Sequence, residues 1–284
     1  MASDSDDPLK QDVGANREGE AVVVDADRVA RFAEATGEPV TMFEEGAVVP
    51  PVYAAIASLS SHGRLLADVV RHEVAVLSIH VGQTMTFHRP IRVGTTVTSH
   101  ATLAEVRSGP FGCALTMFVE VFGDGSLAVE GYHRVLLRSV RTKRVGGEVP
   151  PPAAPRRGQT ELGRLVFDIA DDQSVRYARA SGDLLPVHTD PVVAKAAGFP
   201  GLILHGMCTF AMCGRAALDL SAGGPGRGDS RSLRMLSASF KRPVVCGQRA
   251  EVRGVAGDRG SVHLSVVQQG RSAVRDAWAL VGDA

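Results

Sequence analysis

Apolar and polar residues alternate along Leu115, Met117, Val119 and Val121, and again along Val262, Leu264 and Val266, the period-two signature of strands with one buried face. Runs rich in Val, Thr and Phe predict strands over residues 76–88, 95–106, 113–122 and 128–140, and then over 234–241, 248–255, 261–268 and 273–281. Two Ala- and Leu-rich stretches without proline, 52–72 and 206–220, predict long helices ahead of each set of strands. A shorter amphipathic segment precedes each long helix and stops at Gly37 or Gly182, residues suited to a left-handed helix C-cap.

This order recurs because the chain repeats itself. Residues 27–38 (DRVARFAEATGE) align with 172–183 (DQSVRYARASGD) at an offset of 172 − 27 = 145, with Asp27/Asp172, Arg31/Arg176, Ala33/Ala178, Ala35/Ala180 and Gly37/Gly182 identical. Phe87-His88-Arg89-Pro90 and Gly94 align with Phe240-Lys241-Arg242-Pro243 and Gly247 at an offset of 240 − 87 = 153, so the second copy carries 153 − 145 = 8 extra residues between the two blocks. Residues 143–160 separate the copies, with four prolines in positions 150–155 that no helix or central strand accommodates. The expected organisation is a disordered tail over 1–20, a first unit over 21–142, a Pro-rich linker over 143–160 and a second unit over 161–284. One helix wrapped by an antiparallel sheet, made twice, is an α+β architecture.

Composition narrows the partners. With 31 basic and 31 acidic residues the formal net charge is zero, which supplies no field for nucleic acid or an anionic membrane. The longest apolar run, 52–57, is too short to span a bilayer, and the N-terminus lacks the basic-then-apolar pattern of a secretory signal. Cys113, Cys208, Cys213 and Cys246 form no CxxC pair and read as free thiols of a cytoplasmic protein, with no metal-ligand spacing. The segment 223–229 (GGPGRGD) reads as a surface loop, since no strand precedes it and Pro225 interrupts it.

The chemistry-bearing text is 177–209, YARASGDLLPVHTDPVVAKAAGFPGLILHGMCT. Pro186 disfavours helix at Leu185, so Asp183 and His188 sit on a bent loop between helices, where an Asp and a His can share one water and move two protons. Taken alone, Asp183 reads as a helix-terminal polar residue and His188 as a satisfied loop histidine. The stretch resembles the hydratase-2 motif of the MaoC-like, (R)-specific enoyl-CoA hydratases: Tyr177, Ala178, Ser181, Gly182, Asp183, Pro186, His188, Asp190, Pro191, Ala194, Ala197, Gly198, Phe199, Ile203, His205, Gly206 and Met207 match it in register. The units on either side of the linker resemble the paired hotdog domains of two-domain members, implying a double hotdog with two antiparallel sheets, each wrapping a central helix.

The resemblance implies that Asp183 and His188 activate water against a trans-2-enoyl thioester while the Gly206 N–H receives the thioester carbonyl. A helix N-terminus suits that role, because its donors are unpaired and its dipole end is positive. Phe199, His205 and Leu185 are the candidate ligand contacts, and Lys195 and Arg242, like Lys241, the candidate cations for the phosphates of a CoA-type carrier. Leu185 departs from the motif, which has Asn there; Leu offers no hydrogen bond. The first copy has Glu38 in place of Asp183, no histidine five residues on, and 50–53 (PPVY) in place of His205-Gly206. That half is expected to shape an acyl pocket with Ala54, Ala55, Ala57 and Ser58. The implied activity is enoyl-CoA hydration without metal or redox cofactor, on an acyl-CoA or acyl-carrier thioester. The rivals are a hotdog thioesterase using Asp183 and a non-catalytic acyl-thioester-binding subunit. Exposed sheet edges make a homodimer a reasonable expectation.

Overall fold

The computed structural model describes residues 7–39, 43–75 and 78–282. The first six residues, the segment 40–42 after Glu38 and the expected strand start at Val76 lie outside the described residues.

Helix α1 (Ala26–Thr36) starts where the Asp25 carboxylate accepts from the Arg28 N–H at 2.8 Å and ends at Gly37, whose φ of 75° is the left-handed cap. Its repeat equivalent α4 (Gln173–Ser181) ends the same way at Gly182, φ 90°. The long helices are α2 (Ala54–Val69) and α7 (Gly206–Ser221), equivalent at an offset of 206 − 54 = 152. The predicted helix over 52–72 breaks at Val70, whose extended backbone separates α2 from the single turn α3 (His72–Ala75). Most of the extra residues of the second copy fall in the segment that forms two short helices, α5 (Pro186–Thr189) and α6 (Pro191–Ala196), just before α7.

The first unit has β1 (Asn16–Glu18), β2 (Val22–Val23), β3 (Ser78–Phe87), β4 (Thr96–Gly109), β5 (Gly112–Gly123) and β6 (Ser126–Arg138). The second has β7 (Arg157–Asp168), β8 (Leu233–Phe240), β9 (Arg249–Gly257), β10 (Ser261–Gln268) and β11 (Arg271–Val281). Two expectations are corrected at the N-terminal strands. Residues 7–20 are not a disordered tail, since Leu9 is buried and β1 pairs with β4. The linker gives way at Arg157 to β7, which the charged text RGQTELGR concealed; it pairs with β9 as an outer edge with little burial.

The two sheets are not separate. The strand order β1-β4-β5-β6-β3-β8-β11-β10-β9-β7 is continuous, because β3 pairs antiparallel with β8. The register sets Thr84 opposite Ser237, its own repeat equivalent at the offset of 153, with the two hydroxyls 3.1 Å apart. Phe32 and Tyr177, equivalent at the offset of 145, also meet, with ring centroids 5.8 Å apart. Two such self-equivalent pairs define a pseudo-twofold axis through the molecule. Across that axis the helix ends are capped reciprocally: Arg28 donates to the carbonyls of Ala180 and Ser181, and Gln173 donates to the carbonyl of Ala35. These bonds satisfy carbonyls that a helix C-terminus leaves unpaired. The larger apolar core runs through both units around α1, α7 and the start of α2, while a smaller one lies beneath the end of α2 around Leu65, Leu103 and Met117. Among the described residues no helix is long and apolar enough to cross a membrane.

Glu38, standing where Asp183 stands in the other half, is buried against α7. Arg215 of that helix takes a bidentate grip on Asp219 and reaches Glu38 at 3.4 Å. One guanidinium serves two carboxylates, and burial, opposed by Arg215, pushes the Glu38 carboxyl up to about 7. Arg215→Met strands both acids without a cation, and urea denaturation at pH 7 is expected to show a loss of about 3–5 kcal/mol. The Glu38 carboxyl ionises near 4.5 when unfolded and near 7 when folded, so its contribution to stability is complete below about pH 4.5 and is lost as pH rises through about 7. Glu38→Gln is expected to flatten that part of the stability–pH curve.

Candidate active site

The left-handed Gly182 turns the chain out of α4 and delivers Asp183. The Ser181 hydroxyl accepts from the Asp183 N–H at 3.1 Å, and Asp183 Oδ1 accepts from the Leu185 N–H at 3.3 Å, closing an Asx-type turn. Arg28, reaching over from the first half, pins the last carbonyls of α4 directly ahead of this turn. Pro186 then opens α5, which carries His188 in its single turn. Its Nδ1 donates to the Ile203 carbonyl at 2.9 Å, leaving Nε2 as a lone-pair acceptor. Ile203 is itself held by a bridge to Val245. Asp190 caps α6, accepting from Val192 at 2.7 Å.

His205 connects the parts. It is 2% exposed, precedes Gly206 at the start of α7, and donates Nε2–H to the Asp183 carbonyl oxygen at 3.0 Å, with the Asp183 carboxylate 4.0 Å away. Its ring stacks on His188 with centroids 3.8 Å apart and packs against Tyr177 at 4.8 Å. Asp183 and His188 share no hydrogen bond; both meet His205, His188 on its ring face and Asp183 at its Nε2 edge. Burial pushes His205 down to about 3, helped by the neighbouring His188 and opposed by the Asp183 carbonyl. Burial likewise lowers His188, with the Ile203 carbonyl and Asp183 pulling the other way. Both rings are therefore neutral near pH 7, His188 as a base with a free lone pair.

Gly206 is glycine for a reason of space. A Cβ there would lie 2.6 Å from Nδ1 of His80, a ring contributed by β3 of the first half. His80 stacks on His133 of β6 at 4.2 Å, and His133 on His62 of α2 at 4.5 Å. These three imidazoles escaped the reading of the sequence because they come from three separated elements. The signal available was the repeat itself: the second half carries Gly214 where α2 has His62, Leu233 where β3 has His80, and Ala279 where β6 has His133.

The remaining sequence candidates divide. Leu185, 42% exposed, lines an open groove with Leu184 and Asp183 on one side and Leu59, Gly63 and Arg64 of α2 on the other. Phe199 is half-buried; Lys195 and Arg242 are exposed, and Arg242 donates to the Ser272 carbonyl. None of these three shares a hydrogen bond, ion pair or ring contact with Asp183, His188 or His205. Of the four small residues expected to shape a pocket, Ala55 and Ser58 line a cavity beneath α2, and Ala54 and Ala57, 1% and 5% exposed, pack into the shared core. Met207 also borders that cavity. Among the described residues no group of three His, Cys, Asp or Glu side chains is arranged to hold a metal ion.

A helix wrapped by an antiparallel sheet, in a fold made twice, defines a double-hotdog protein. Residues 153–276 match the MaoC like domain, and residues 11–124 match the dehydratase domain region of the FAS1-like family. The C-terminal half thus carries a MaoC-like domain and the N-terminal half a FAS1-like dehydratase region. It is similar to 3-hydroxyacyl-thioester dehydratase X of Mycobacterium tuberculosis, 29% identical over 194 residues, a match covering 68% of this chain and 66%, just under two thirds, of that protein. A solved MaoC-like dehydratase from Phytophthora capsici shares the fold with a TM-score of 0.80 at 20% identity, over 99% of this chain and 100% of that one. A conserved hypothetical protein of Mycobacterium tuberculosis, described as a double hotdog, superposes with a TM-score of 0.64 at 13% identity, over 96% of this chain and 98% of the other.

NMR titration of selectively labelled histidines tests the electrostatics of the site. His205 is expected to stay neutral from pH 8 down to pH 5; a midpoint near the ordinary imidazole value would contradict the buried neutral stack.

Proposed function

We propose that the chain is an (R)-specific hydro-lyase that adds water reversibly across a trans-2-enoyl thioester to give the 3-hydroxyacyl thioester. The observation that carries this reading is the convergence of Asp183 and His188 on His205 beside the N-terminus of α7. Hydration needs a base to take a proton from water as its oxygen attacks C3, and an acid to deliver one to C2. The His188 Nε2 lone pair takes the proton from a water that the Asp183 carboxylate orients, and the resulting Nε2–H returns that proton to C2, so hydroxide and proton together amount to the one water added. Charge developing on the thioester oxygen meets the Gly206 N–H and the positive end of the α7 dipole. The Arg28 grip on α4 keeps Asp183 in place through the cycle.

CoA is the favoured carrier. The open groove past Asp183 and Leu185 gives its pantetheine arm a route along α2, with Arg64 at the rim. Lys195 and Arg242 are proposed as additional cations for its phosphates. Leu185, in place of the motif amide, makes the mouth of the site more apolar. Four free cysteines accord with a cytoplasmic setting. The inner sheet edges β3 and β8 are consumed by each other, so a homodimer pairing through strands would use the outer edges β1 and β7.

Crotonyl-CoA and longer trans-2-enoyl-CoAs incubated with the purified chain should lose their enoyl absorbance without releasing thiol. Thiol release would instead indicate a thioesterase, and neither change a binding subunit. Asp183→Asn and His188→Gln should each lower kcat by about 10²–10⁴-fold, the usual range for an acid–base group. Hydration that survives both substitutions would refute the site.

A further inference from the structure

We propose that the stacked rings of His62, His80 and His133 plug the acyl end of the site and restrict the substrate to enoyl thioesters of crotonyl length. The proposal rests on the thioester reading above and names the acyl class within it.

A thioester held at Gly206 has two ends to place. The open groove past Asp183 and Leu185 takes the pantetheine arm, so carbons beyond the reacting pair turn inward, past Met207, toward the cavity beneath α2. That cavity is about 20 Å³, room for about one water or one methyl group. The methyl of a crotonyl group is admitted, and the next carbon has no place.

The helix side is not what limits the depth. Ala55 and Ser58 are small, and the space they leave is filled by rings: His133 of β6 stacks on His62 of α2 at 4.5 Å and on His80 of β3 at 4.2 Å. His80 packs in turn against Phe240 at 4.7 Å, and it stands so close to the first turn of α7 that a Cβ at Gly206 would lie 2.6 Å from its Nδ1. The stack therefore begins beside the proposed carbonyl donor and ends on α2.

Each ring is held in place. His80 donates Nε2–H to the Gly82 carbonyl at 3.0 Å, and Gln83 bonds both His80 and His133, the latter at 2.9 Å through Oε1. The Ser58 carbonyl faces His62. Burial holds His62 down to about 4, His80 to about 3 and His133 well below the ordinary imidazole range, so the rings stack uncharged. Met85 and Met207 on the cavity wall are flexible and yield to a ligand, whereas a ring stacked on one neighbour and bonded to another does not. Polarity acts in the same direction, because a chain pushed further would press against His62, Gln83 and His133 rather than an apolar wall. The fold itself does not call for these rings: β8 has Leu233 where β3 has His80, and β11 has Ala279 where β6 has His133.

Initial hydration rates of the full chain with crotonyl-CoA, trans-2-hexenoyl-CoA and trans-2-octenoyl-CoA test the plug. In the wild type, kcat/KM is expected to fall about tenfold or more from crotonyl to octenoyl. In His62→Ala and His133→Ala the octenoyl-to-crotonyl ratio is expected to rise about tenfold or more, whereas a merely structural role would lower both substrates together and leave the ratio unmoved. Melting curves identify a variant that fails to fold, and the wild-type profile decides without it. A wild-type kcat/KM that is flat or rises toward octenoyl-CoA overturns the proposal, as does a ratio unmoved in both folded variants. Crotonyl-CoA hydration with a flat profile keeps the activity and sinks only the plug. Hydration of none of the three sinks the activity, and calorimetry with the saturated esters then decides the plug. Butanoyl-CoA binding about tenfold or more tightly than octanoyl-CoA supports it, and equal, reversed or undetected binding overturns it.

Discussion

The antiparallel pairing of β3 with β8 is the constraint on which the rest of the molecule depends. It fixes the register of one half against the other at a single point of self-equivalence, Thr84 opposite Ser237. That register carries His80 on β3 to the first turn of α7, close enough to leave no space for a Cβ at Gly206. The same axis brings α1 against α4, where Arg28 and Gln173 finish each other's helix ends. A residue of the first half thus holds the turn that presents Asp183. The candidate site belongs to neither unit alone.

The symmetry of the backbone is not matched by symmetry of chemistry. On one side of the axis the acidic residue after the αL glycine is Asp183, partly exposed, with two neutral imidazoles beside it. On the other side the corresponding Glu38 is locked under α7 with Arg215 and Asp219. A buried triad of this kind fills its space with satisfied charge, and its formation takes the place of a reaction site. Most of the insertion in the second half falls in the segment that forms α5 and α6, where α5 carries His188 and Asp190 caps α6. The first half, without that insertion, runs from α1 to α2 by a shorter path.

Much of this was legible in the sequence because local signals carried it. The paired Gly37 and Gly182 announced two helix ends, and the text around Asp183, His188 and Gly206 marked the reactive segment through its spacing. What stayed hidden was non-local. Nothing in 78–87 or 233–240 states that these strands are each other's neighbours, and no spacing links His62, His80 and His133 across more than seventy residues. Strand β7 was missed because its charged text faces solvent on both sides of an edge, where no apolar alternation is required. The small residues of α2 do not share one environment: Ala55 and Ser58 border the cavity, while Ala54, Ala55 and Ala57 all belong to the core.

The contrast between His62 and Gly214 has an evolutionary consequence. In an assembly of two identical subunits, every substitution appears on both sides of the axis, so a histidine that helps one pocket must also be tolerated where the opposite copy packs Gly214 against Leu233 and Leu236. Joining the two copies in one chain lifts that obligation. Each position can then be chosen once, for one role. The fused gene can explore ligand chemistry in its first half while its second keeps the reactive loop unchanged, and a variant that enlarges or polarises the cavity leaves the packing of the opposite helix untouched.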